Sequence, residues 1–194
     1  MKRKLTAIAI TALGVAYAAE AQNSFAIIVD SETYEHCKNE IEDYRESVAN
    51  GGLDAFVLAD DWKCPQQIKD TLIHYYNTRK LEGTVFIGDI PIAMVRQAQH
   101  FTSAFKMNET AYPKRDTSVP SDRFYDDFDL KFNFVGRDSL ETNFFYYNLA
   151  ADSPQVISCD IYSGRIKPSS DRGNKYEELS KYLRKVVRLK QESN

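Results

Sequence analysis

Hydrophobic positions in the first half of the chain fall into short solid runs separated by amphipathic stretches. The runs are "FAIIV" (25–29), "AFVLA" (55–59) and "TVFIG" (84–88). Unbroken apolar runs of this kind predict strands buried on both faces. Between the first two, Tyr34, Cys37, Ile41, Tyr44 and Val48 recur in alternating steps of three and four, the spacing of one helical face. Gly51 and Gly52 end that helix, as residues free to take positive φ commonly do. A second helix shows Ile68, Leu72, Tyr75 and Tyr76 on its apolar face, and Pro65 suits its first turn. Strands alternating with single helices predict right-handed βαβ units, hence a parallel sheet with helices on both faces. Cys37 lies on the buried stripe of its helix and is expected to be a small core residue rather than a nucleophile.

The pattern changes after about residue 96. Up to about residue 155 the chain is polar, aromatic and irregular, and "FNFVGRDSLETNFFYY" (132–147) reads as paired strands or a hairpin at the sheet edge. "VISCDIYSGRI" (156–166) returns as a strand, expected at about 157–163. The stretch 169–191 follows as a final helix, with Tyr176, Leu179, Leu183 and Val186 on its inner face.

The N-terminus stands outside this pattern. "MKRK" is basic, Leu5 to Ala19 carries no charge, and the stretch ends in "AEA". These are the three regions of a secretory signal peptide, and the uncharged run is shorter than the ~20 residues of a membrane-spanning helix. Residues 1–21 are therefore expected to direct export to the periplasm, cell surface or exterior. The mature chain is then residues 22–194, one domain with no membrane anchor. Cleavage would remove three cations and one carboxylate, making the net charge of −3 more acidic. An acidic chain without a basic cluster argues against nucleic acid as a partner. Three cysteines, Cys37, Cys64 and Cys159, are too few for a dense disulfide framework.

The candidate chemistry lies in the second half. Asp122, Asp126, Asp127 and Asp129 crowd one short segment. Hard oxygen ligands at this density suit calcium, with Asp126, Asp127 and Asp129 as the candidate ligands. The order of an EF-hand loop is absent, however. A solvated acidic turn is the other reading, and the favoured one. Cys159 and Asp160 stand side by side at the head of the strand-like run. Neighbours in a strand point to opposite faces, so one of the two is expected in the core.

"GDIP" (88–91), "VPSDRFY" (119–125) and "DIYSGRI" (160–166) follow the βαβαβ start in that order, and a helix follows them. This arrangement resembles the gingipain-like cysteine peptidases, family C25, over nearly the whole mature chain. The resemblance implies a caspase-like or Rossmann-like three-layer αβα fold, of which residues 22–194 would be the first half. It implies that Asp160 is the carboxylate that orients a catalytic histidine, with Asp122 on the site rim and both near the carboxyl edge of the sheet. Such a carboxylate fixes the imidazole tautomer and stabilises its cation. Cys159 is then the core residue of the pair. No cofactor is required, calcium sites occur in the family, and the substrate is a polypeptide.

The family's Gly-His-Gly and its following nucleophilic cysteine have no counterpart here. His36, His74 and His100 have no glycine neighbours, and the first two fall on predicted helices, facing solvent. Three readings follow. The chain is the N-terminal half of a gingipain-like endopeptidase, inactive alone; or a stand-alone exported domain binding peptide or calcium; or an unrelated α/β binding domain.

Overall fold

A computed structural model describes residues 22–98, 108–168 and 173–192. It is an α/β protein with two sheets. Three of the four strands of the first sheet are the predicted apolar runs, β1 (Ser24–Asp30), β2 (Asp54–Asp60) and β3 (Leu81–Ile87). The fourth is β8 (Tyr162–Ile166). Their order is β2-β1-β3-β8, and every pairing is parallel.

Two helices join the first three strands. α1 (Ser31–Ala49) begins where Asp30 accepts a hydrogen bond from the Thr33 amide, at 2.8 Å, which satisfies one of the free N–H groups of a helix start. It kinks at Cys37, whose φ of −121° is not helical. α2 (Pro65–Arg79) carries Pro65 in its first turn, as predicted. The predicted final helix is α4 (Lys175–Glu192).

The alternation of side chains along each strand sorts the core into two layers. Phe25, Ile27, Val29, Val85 and Ile87 face one way, onto Cys37, Ile41, Tyr44 and Val48 of α1 and Leu179 and Leu183 of α4. Ala26, Ile28 and Phe86 face the other way, onto Ile68 and Leu72 of α2 and onto Phe124 and Tyr125. Helices therefore cover both faces, and Cys37 is fully buried, as expected.

The irregular region forms a second sheet. It holds β4 (Ile92–Arg96), the two-residue β5 (Val119–Pro120), β6 (Phe132–Arg137) and β7 (Phe144–Leu149), in the order β5-β4-β7-β6. β6 and β7 pair antiparallel, as a hairpin should, but β7 also runs parallel to β4. The predicted hairpin thus belongs to a separate mixed sheet instead of edging the first. A one-turn helix, α3 (Arg123–Asp126), precedes β6.

The strand expected at 157–163 starts later. The amides of Asp160 and Ile161 both donate to the Asp126 carbonyl, at 2.8 and 3.3 Å. Those two residues bond to α3, so the ladder with β3 begins only at Tyr162.

Candidate functional site

In an open parallel sheet, ligands bind outside the carboxyl ends of the strands, where connections leave in opposite directions. Here that point lies between β1 and β3, since the chain passes from β1 to β2 on one side and from β3 towards β8 on the other. A cleft of about 710 Å³ opens there, with Asp30, Trp62, Asp89, Arg137, Asn143, Lys167 and Lys175 among its lining residues.

Tight backbone packing builds its floor. Asp30 ends β1 and accepts from the Asp89 amide at 2.7 Å with the oxygen that does not cap α1. Gly88 leaves β3 at φ +84°, and a Cβ there would lie 2.3 Å from that oxygen and 2.4 Å from Thr33 Oγ1. Only glycine fits both the turn and the close approach. Trp62 donates its indole N–H to the Val29 carbonyl at 2.9 Å, and Asn143 ties the second sheet to the rim by donating to the Asp89 carbonyl at 2.9 Å.

Charge is unevenly distributed around this cleft. Asp89 is held by two ammonium groups, Lys167 at 3.1 Å and Lys175 at 3.2 Å. Partial burial disfavours its ionisation, but the bonds to the two lysines outweigh that and hold the carboxyl below the usual range. Across the cleft Arg137 donates to the Thr142 carbonyl, and its guanidinium lies 5.1 Å from the Phe145 ring centre. No carboxylate partner of Arg137 is found among the described residues.

Of the acidic residues singled out by the sequence, Asp126, Asp127 and Asp160 lie elsewhere, around the amino end of β8, whereas Asp122 meets Arg165 near the carboxyl end of that strand, the edge where it was expected. Asp160 stands two residues before that strand, not at the carboxyl edge where it was expected. Its carboxylate accepts from the Phe128 amide at 2.7 Å. Asp122 is bound in a two-point ion pair by Arg165, at 2.7 and 3.2 Å, and Arg165 also donates to the Ile90 carbonyl at 3.2 Å. Tyr125 donates to the Pro91 carbonyl at 2.6 Å. The Gly-Arg, Ser-Asp and Gly-Asp motifs are therefore fastened to one another.

The turn favoured as solvated is in fact sealed. Asp126 and Asp127 are fully buried, and only Asp129 is exposed. Asp127 accepts from the Ser158 amide at 2.7 Å and the Leu130 amide at 3.3 Å. Asp126 accepts from Ser163 Oγ at 2.5 Å and pairs with Arg123 at 2.5 Å, while its Oδ1 has no partner among the described residues. Burial pushes the Asp126 carboxyl up to about 6, with Ser163 and Arg123 opposing and the Asp122 and Asp127 charges adding to the rise. A second cation beside Arg123 is Lys69 of α2, which is buried and donates to the carbonyls of Asp127 and Leu130 at 2.9 and 3.0 Å. Desolvation lowers the pKa of this ammonium, and the Asp127 and Asp160 charges oppose the shift. Lys69 occupies those carbonyls, and every oxygen of the two buried carboxylates except Asp126 Oδ1 already has a partner, so a calcium ion here would have to displace them. No group of three or more His, Cys, Asp or Glu side chains suited to a metal occurs among the described residues.

Cys159 corrects a further expectation. It is exposed rather than in the core, because the chain before Tyr162 is not a strand. Arg123 donates to its sulfur. Desolvation raises the thiol pKa, the Asp126 charge adds to it, and Arg123 opposes. Such a group is a poor thiolate. His36 and His74 are exposed on their helices, as expected, and His100 lies outside the described residues. His36 stacks on Tyr176, with ring centres 4.1 Å apart.

Sequence reasoning quoted the Gly-Asp turn but gave Asp89 no role and missed Lys167, Lys175 and Arg137. The signal was positional, since Asp30, Asp89 and Lys167 each stand at or just past the end of a parallel strand. No helix among the described residues is long and apolar enough to cross a membrane. Comparison of the chain with protein-family models, curated proteins and solved structures finds no match.

Proposed function

We propose that the chain is the N-terminal half of an exported gingipain-like cysteine endopeptidase, supplying the sheet and one wall of a peptide-binding cleft. The observation that carries this reading is the mutual fastening of the three motif segments. Arg165 of β8 holds Asp122 and Ile90, and Tyr125 holds Pro91. Residues that resemble the family in order along the sequence thus also work as one unit in space. Among the described residues β8 pairs with β3 alone, and a further strand from the second half would add on its outer side.

Peptide-bond hydrolysis by a cysteine enzyme needs a thiolate, an imidazole within hydrogen-bond reach, and donors for the oxyanion. Cys37 is buried, and its sulfur meets the Tyr176 carbonyl and the Ser180 hydroxyl; Cys159 meets Arg123. Neither pairs with a histidine among the described residues. In this reading the nucleophile and base come from the second half. Asp160 orients that histidine only if the second half reaches the amino end of β8.

The purified chain should leave casein and fluorogenic peptides intact. Co-expression with the coding segment that follows it in the gene should yield hydrolysis that iodoacetamide stops. Hydrolysis by the chain alone, abolished by Cys159→Ala, would overturn the assignment. An inert completed protein that still binds peptides would favour the second reading, a non-catalytic exported binding domain. The observation behind that alternative is the cleft at the carboxyl edge of the first sheet, whose lining includes both charged side chains and Trp62.

A further inference from the structure

We propose that the outer edge of β8 and the adjoining side of α4 form a self-complementary surface through which two copies of this chain pair as a two-fold dimer. This goes beyond the peptidase reading and does not rest on it. β8 ends the first sheet and pairs with β3 alone among the described residues. Native edge strands are commonly guarded by outward charges or by proline. Within β8 the one charged residue is Arg165, and it is turned onto Asp122 and the Ile90 carbonyl of its own chain. Tyr162 is half exposed, with its ring 5.8 Å from that of Phe25 and its hydroxyl donating to Glu82 at 3.3 Å, so it is held against the sheet. Tyr182 of α4, also half exposed, lines a groove of about 370 Å³ between that helix and β8, together with Ile166, Pro168 and Leu179.

The pairing that fits this edge is antiparallel and centred on Gly164. It sets Tyr162 opposite Ile166 of the second copy and Ser163 opposite its Arg165, so no like charges oppose one another. An aromatic across from a β-branched residue is a favourable cross-strand pair, and the two-fold axis supplies it twice. Gly164 is exposed, and no described atom lies within 4 Å of where its Cβ would stand, so the two backbones can approach closely at the axis. Charge on α4 selects the same arrangement. Glu177 and Glu178 open the helix, whereas residues 181–190 hold five cations and no carboxylate. Glu40 matches Arg184 at 2.6 Å and Glu192 matches Arg188 at 3.7 Å, and Lys181, Lys185 and Lys190 have no carboxylate partner among the described residues. Glu178 accepts from Asn174, a neutral donor that leaves its charge unmatched. A two-fold axis normal to the sheet runs the two α4 helices antiparallel, so the acidic start of each meets the cationic half of the other, as a self-complementary interface requires.

Sedimentation velocity of the purified chain, residues 22–194, over a concentration series tests this. The mass should rise from one chain to two by about 100 μM. Tyr182→Glu adds a carboxylate from each copy beside Glu178 and should weaken pairing about tenfold or more. Glu178→Lys should weaken it as well, by setting cation against cation. Adding Lys185→Glu to that variant should restore pairing, a rescue that damage to the fold would not give.

A chain that stays monomeric at every concentration would overturn the proposal, and so would a dimer indifferent to Tyr182→Glu and to Glu178→Lys. Weakening by Glu178→Lys that Lys185→Glu does not repair would overturn the antiparallel arrangement. The peptidase reading is judged separately. A strand from the second half would take the same edge, so the completed protein should sediment with one copy of this chain. A completed protein that still holds two copies paired through this edge would count against that reading and leave the dimer standing.

Discussion

Two charged regions of this molecule use the same residue types for opposite ends. Around the amino end of β8, Asp126 and Asp127 are sealed, and Lys69 is buried against the Phe124 and Phe132 rings, 5.4 and 5.6 Å from their centres. At the carboxyl edge, Asp89 and its two lysines remain partly in water. Burial makes a hydrogen bond expensive to lose, because a stranded polar group cannot turn to solvent. Exposure makes an ion pair cheap to exchange. The sealed region therefore holds the loop around α3 in place, while the open one is available to a ligand. A cluster of aspartates in sequence does not distinguish these cases; their neighbours in space do.

The sharpest way to break this contrast is Asp127→Ala. It leaves the Ser158 and Leu130 amides without acceptors, and the Leu130 amide is buried. The stranded Leu130 amide costs about 1–3 kcal/mol, and the Ser158 amide, on an exposed residue that water can reach, adds at most about 1 kcal/mol, so the expected loss is about 3 kcal/mol in urea unfolding. A loss below about 1 kcal/mol would mean that the sealed region is not structural.

Asp126 gives the next largest effect, and it depends on pH. Its folded-state pKa lies near 6, above the ordinary 3.8, so the folded chain holds this proton more tightly than the unfolded one. Stability from this group is therefore full below pH 4 and is lost as pH rises towards 6. The shift corresponds to about 3 kcal/mol. Asp126→Asn keeps an acceptor for Ser163 and removes the titration. Relative to the parent, the variant should gain stability steadily between pH 4 and pH 7. A difference that stays constant across that range would show that Asp126 ionises normally.

Most of the first sheet was legible from sequence because its signals are local. The apolar runs at 25–29, 55–59 and 84–88 and the stripe from Tyr34 to Val48 each fall within one element. The start of β8 was not legible, since the Asp126 carbonyl, more than thirty residues away, takes the amides of Asp160 and Ile161. β4 went unnoticed because Ile92–Arg96 follows the Gly-Asp turn so closely that it reads as loop. The motif residues were visible, but not what they touch. Lys69 sits between Ile68 and Asp70 on an amphipathic helix, where a lysine ordinarily faces water. Its burial depends on α3 and the loop to β6 folding over it.

The smallest expected effect comes from the open region, and it completes the comparison. Asp89→Asn removes a carboxylate whose pKa the two lysines depress, so its stabilising contribution is present at neutral pH and lost in acid. The pair with Lys167 is about a third exposed on both sides and that with Lys175 only somewhat less, so water screens the interaction and offers each partner a substitute. Exposed ion pairs of this kind contribute about 0–1 kcal/mol. The variant should unfold within about 1 kcal/mol of the parent at pH 7, and moderate salt should narrow the gap. The backbone contacts of Asp89, its amide to Asp30 and its carbonyl to Asn143, survive the substitution and keep the turn in place. A loss above about 2 kcal/mol would make Asp89 a clamp like Asp127, and the carboxyl edge would then be a second structural knot rather than a site held ready for exchange.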